Sequence, residues 1–226
     1  MIGEWLLFFI IPALLGVWAQ TRVSRAFRKY KQVGVSSNVT GAQAAAAILN
    51  AANIHDVSVV EINDMLGDHY DPAHKRLCLS SDVYRNSSVA AVGIAAHECG
   101  HAIQHAKAYA PLKLRMAVVP ATMLVSQALP FILIAGFFVM GLWKVLLPLA
   151  IVGLLVMTLF QLITLPVEFD ATRRAKALLP QMGIIQPGAE TAGVNKVLDA
   201  AAWTYVAAFV SALSNLLYYI LPRGRN

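Results

Sequence analysis

The stretch VAAVGIAAHECGHAIQH, residues 89–105, decides how the rest of the chain is read. It starts apolar and rich in small residues, yet carries His97, Glu98, His101 and His105 within nine positions. Good helix formers and no proline predict a helix over 88–107. Positions i and i+4 share a helix face, so His97 and His101 point the same way, one turn apart. Two imidazoles so placed can reach one ion at the roughly 2.0–2.1 Å that zinc requires. Glu98 lies about 100° round the helix, where its carboxylate can take a proton from water on that ion without ligating it. This is the H-E-x-x-H arrangement of zinc hydrolases, with the glutamate as general base. The bland alternative is a pair of surface histidines on a solvated helix. It fits poorly with the apolar run in which they stand.

The surroundings are membrane-like. The 226 residues are 58% hydrophobic and only 13% charged, with a mean hydropathy of +0.61. A soluble domain is nearer half apolar and a quarter charged. Four segments are long and apolar enough to be spans: 3–20 (apolar from Trp5), 116–142, 145–167 and 200–221, the last the least apolar. The first is not read as a secretory signal, because no basic residue precedes it and Arg22, Arg25, Arg28, Lys29 and Lys31 follow it. Of the 18 Lys and Arg, 11 lie in 21–115 and 4 in 168–199. The positive-inside rule then predicts both of these regions in the cytoplasm and both termini outside. Basic residues beside anionic lipid account for the net charge of +6, so no nucleic-acid partner is expected. Cys78 and Cys99 form no framework and are expected to stay as free thiols.

Region 21–115 reads as a small mixed unit. Its basic start suits a helix continuing out of the first span. Thr40 and Gln43 form a capping box before an Ala-rich helix, and Asn53 stops it. Residues 57–62 and 76–80 read as strands, with a turn-rich segment around Gly67, Asp68, Asp71 and Pro72 between them. RLCLS, 76–80, is a candidate edge strand on which an extended peptide could add. The short link between 142 and 145 makes the second and third spans a hairpin. Segment 168–199 begins helical and turns loop-like.

A catalytic zinc usually has three protein ligands and one open position. His105 is a poor third, because three residues in line along about 12 Å of helix cannot surround one ion. The better candidates are Glu168 and Asp170 in LPVEFDATRRA, directly after the third span, where the hairpin returns the chain to the side of the histidines. An idle carboxylate at a membrane border is costly. Pro166 suggests that a new helix starts at Glu168. His69, Tyr70 and Arg173 are candidate oxyanion donors. Cys99 reads as small packing, and Gly100 as a point of close approach.

HECGHAIQHA, with DHYDP and LSSDVY before it and LPVEFDATRRA after it, resembles the bacterial YugP-type neutral zinc metallopeptidases, which are membrane proteins. More distantly the chain is similar to the HtpX-like and CAAX prenyl membrane proteases, which carry a later E-F-x-A-D run. Here that run is Glu168, Phe169, Asp170, Ala171 and Thr172, with threonine where the distant relatives have aspartate. The resemblance implies Glu168 as third ligand, and Thr172 or Asp170 as a histidine's hydrogen-bond partner.

The expected fold is mainly α: four transmembrane helices plus a small cytoplasmic α+β zincin-like (gluzincin) domain built around the metal-binding helix. The expected function is a membrane metalloendopeptidase with one Zn²⁺ per chain. Its partners are the lipid bilayer and peptide or membrane-protein substrates, at the cytoplasmic face of the cell (inner) membrane. A non-catalytic zinc-binding scaffold or sensor is the competing class; Glu98 separates the two, since a closed structural site needs no base. A transporter is disfavoured, because the spans carry no buried Asp, Glu or Arg and no repeated halves.

Overall fold

The computed structural model describes residues 2–63 and 67–221. Part of the turn-rich segment (64–66), together with Arg223 and Arg225, lies outside the described residues. The chain is mainly helical, with a small mixed sheet.

Helix α1 is Ile11–Tyr30, preceded without a break by Ile2–Trp5 and a π-helical Leu6–Ile10. The helix runs on through the basic stretch, as its spacing predicts, and ends with Arg28 and Lys29 beside the negative end of the dipole. The capping box forms: the Gln43 N–H donates to Thr40 Oγ1 at 3.2 Å, and the Thr40 N–H to Gln43 Oε1 at 2.9 Å. Helix α2, Gly41–Ala51, ends where Asn53 takes a φ of 56°. The Ile54 and Asn53 amides close back on Leu49 and Asn50, a Schellman motif.

Strands β1 (Ser58–Ile62), β2 (His69–Asp71) and β3 (Arg76–Ser80) form a sheet in the order β1-β3-β2. β1 pairs parallel with β3, and β2 pairs antiparallel with it. Two expectations are corrected here. RLCLS is the central strand, buried from Leu77 to Ser80, so no peptide can add to it. Part of the supposed turn is itself the edge strand, too short and polar to carry a strand signature.

Helix α3 (Ser81–Tyr84) leads to α4 (Val89–Ala106), the helix expected over 88–107. Ser88 caps α4 by accepting from the Ala91 N–H at 3.2 Å. Fourteen of its eighteen residues are buried, so α4 is packed on all sides rather than amphipathic. Its small residues make this possible: a Cβ on Gly100 would come within 2.9 Å of the Ala171 backbone of the next-but-one helix. Ile48, Leu77, Leu79, Val92, Cys99 and Leu198 join one core around it.

Helices α5 (Ala110–Phe138) and α6 (Trp143–Gln181) form the expected hairpin, and α7 (Ala189–Ile220) follows a turn with Gly183 and Gly188 at positive φ. Among the described residues, four helices are long and apolar enough to cross a membrane: Gly3–Tyr30, Ala110–Gly136, Trp143–Gln181 and Ala189–Ile220. Leu124, Phe131 and Val145 are exposed at 70, 73 and 69%, as lipid-facing residues must be. Pro166 does not start a helix, contrary to expectation. It lies inside α6, whose packing against α4 and α7 overrides the lost backbone bond. At about 58 Å, α6 is nearly twice as long as a bilayer's hydrocarbon core is thick.

Candidate metal centre and catalytic site

His97 and His101 project from α4 with ring centroids 4.9 Å apart. Glu168, from α6, meets them. Its Oε2 lies 3.2 Å from His97 Nε2 and 3.5 Å from His101 Nε2. One ligand atom from each of the three lies within 4.8 Å of the others. A tetrahedral ion with ligands at zinc distances has edges of about 3.3 Å. The two contacts to Glu168 bracket that length.

The hydrogen bonds around the three explain why they point inward. Gln104 Nε2 donates to Val167 O at 2.7 Å and to Asp170 Oδ2 at 3.0 Å. That fixes its other atom, Oε1, as an acceptor, so His101 Nδ1 donates to it at 3.0 Å. In the neutral ring, Nε2 of His101 is then the atom that offers its lone pair on the Glu168 side, 3.5 Å from Oε2. A buried cluster of electron-pair donors facing one another is the chemistry of a cation site. Asp170 is itself held by Arg174 at 2.5 Å and by Arg173. His97 Nδ1 lies 3.2 Å from Thr172 Oγ1, so threonine stands where the distant families have aspartate. The second oxygen of Glu168, Oε1, accepts from Arg115 Nη1 at 2.6 Å.

Glu98 is buried on the same helix and is not among the three converging groups. Its Oε2 accepts the Tyr70 N–H at 3.1 Å, and burial pushes its carboxyl above the ordinary range. A cavity of about 430 Å³ opens on His101, Glu98 and Glu168, between β2 and the Leu112–Val119 part of α5. A second, of about 250 Å³, opens on His97 and Glu98 between α1 and α7. Asp68, Glu98 and Tyr205 line both. The two cavities therefore share a wall beside the converging side chains.

A family model described as "Putative neutral zinc metallopeptidase" matches residues 5–223. The chain belongs to this zinc metallopeptidase family. It is 42% identical over 216 residues to "Putative membrane protease YugP" of Bacillus subtilis (strain 168), covering 95% of each chain. No solved structure matches.

Within this chain, the other expected residues divide. Asp170 is a partner of Gln104 and two arginines, not one of the converging groups. His105 turns away, with Nδ1 2.8 Å from the Tyr70 hydroxyl. Tyr70 thus approaches Glu98 through its backbone, and its hydroxyl is engaged elsewhere. Arg173 is largely exposed and bound to Asp170, away from both cavities. His69 lines the larger cavity. Cys99 is buried with its thiol directed at Ala45 O, and burial pushes its pKa up, so it is packing. Gly100 is a close-approach point against α6. Sequence reasoning missed Gln104, Asp68, Tyr205 and Arg115. Gln104 was detectable, since it lies one turn beyond His101 on the same face. Arg115 was hidden among the basic residues that any span border collects.

Proposed function

We propose that this chain is a membrane-embedded zinc metalloendopeptidase, with one zinc ion held by His97, His101 and Glu168 and with Glu98 as general base. The observation that carries the reading is the convergence of those three side chains beside a separate buried carboxylate, at the junction of two cavities. A zinc ion there supplies Lewis acidity and a water of lowered pKa. Glu98 takes the proton at its carboxylate and delivers it to the leaving amine. The Tyr70 N–H holds that carboxylate in place. His69, which lines the larger cavity, is placed to donate to a developing oxyanion.

The substrate polypeptide lies across the site, one side of the scissile bond in each cavity. The site works at the cytoplasmic face of the cell membrane, with both termini outside, because the basic residues flank it. Glu168 directly follows the apolar part of α6, and α1, α5 and α7 supply cavity walls. The substrates are therefore membrane proteins or segments beside the bilayer. Equal cleavage of a soluble and a membrane-tethered form of one peptide contradicts that preference.

The test of catalysis is Glu98→Gln in the purified full chain. It keeps its zinc and loses peptide hydrolysis by at least about 10²-fold. A variant as active as the wild type makes the site a binding centre and not an enzyme.

A further inference from the structure

Arg115 and the Tyr205 hydroxyl both bond the third ligand, and Arg115 is the charged partner. Glu168 is only 2% exposed along its side chain, and a carboxylate so deep must be paired. Its two oxygens face different neighbours. Oε2 faces both imidazoles, whereas Oε1 is taken by Arg115 Nη1 at 2.6 Å, a charge-assisted bond. Arg115 reaches it from the first turns of α5, another helix, and lines the larger cavity. A carboxylate can give a metal one oxygen or both. With both, the ion's open position is crowded by a fifth ligand atom; with one, a tetrahedral corner stays free.

We propose that Arg115 is a positioning residue that occupies Glu168 Oε1 and so confines the carboxylate to single-oxygen ligation, leaving the fourth position open. The assignment rests on the zinc reading of His97, His101 and Glu168. It adds a claim about coordination number that the reading alone does not make. The guanidinium also ties the hairpin helix that walls the substrate cavity to the metal centre, so the two are built as one unit.

The experiment uses full-length protein in detergent, with Co²⁺ as a coloured zinc substitute. Wild type gives the intense visible bands of a four-coordinate ion. Arg115→Ala takes up the same amount of Co²⁺ but loses that intensity, as Oε1 turns to the metal and coordination rises. Arg115→Lys restores it in part. Identical spectra for wild type and Arg115→Ala overturn the proposal. Zinc-edge X-ray absorption on the wild type needs no variant and decides the matter even if Arg115→Ala fails to fold. A four-atom shell with a single carboxylate oxygen supports the clamp. A five-atom shell with both oxygens sinks it while leaving the zinc site intact. A wild type that binds neither metal overturns the zinc reading and the clamp together.

Discussion

At the residue scale, the site is a set of lone pairs whose directions are set by neighbours. Gln104 shows how. Its amide nitrogen is committed twice, so its oxygen must accept from His101, and the other imidazole nitrogen is left bare. Gln104→Ala is expected to lower zinc affinity by about 10–100-fold, read by competition with a chelator. It also leaves buried partners unsatisfied at a cost of about 1–3 kcal/mol, read by denaturant melting. Unchanged affinity means that packing alone orients His101. The five-residue metal motif was legible because spacing of four on a helix dictates a shared face. Glu168 was legible because a carboxylate at a span's end is unusual. Arg115 and Tyr205 were not, since nothing in the chain distinguishes a basic residue or a tyrosine that turns inward from one that faces lipid headgroups.

At the element scale, the contact of α4 with α6 brings the two halves of the site together. It depends on Gly100, because a Cβ there would meet the Ala171 Cα and carbonyl oxygen at 2.9 Å, and backbone cannot step aside. Gly100→Ala is expected to destabilise the protein by about 1–3 kcal/mol and to weaken zinc binding by shifting Glu168 away from the histidines. A melting temperature and zinc affinity equal to wild type contradict this role. Most helices and both longer strands could be read from periodicity, capping and β-branching, but not the short α3 or the start of α7 at Ala189, in a segment that reads as loop. β2 could not, since three residues of a polar turn take strand form only through pairing with β3. Nor could the continuity of α6 through Pro166. Proline argues for a boundary, and only burial against α4 and α7 overrules it.

At the scale of the whole molecule, a rod longer than a bilayer is thick carries Glu168 just past its apolar segment, and under the proposed function that is where the chemistry happens. The proposed orientation predicts labelling. In intact cells, Lys144→Cys, at the hairpin tip, reacts with a membrane-impermeant maleimide, whereas Lys107→Cys, just after α4, reacts only after lysis; Cys78 and Cys99 are buried and stay silent. The opposite pattern inverts the topology. The smaller cavity predicts selectivity: Ala201→Leu fills it and should depress cleavage beside bulky apolar residues by about 10-fold or more, while sparing small ones. An unchanged cleavage profile removes that cavity from the substrate path. The most direct measurement is the metal content of purified wild type, Glu168→Ala and Asp170→Ala. The account predicts one zinc per chain in wild type, none retained by Glu168→Ala, and weakened but measurable binding in Asp170→Ala. Full zinc retention by Glu168→Ala would contradict it.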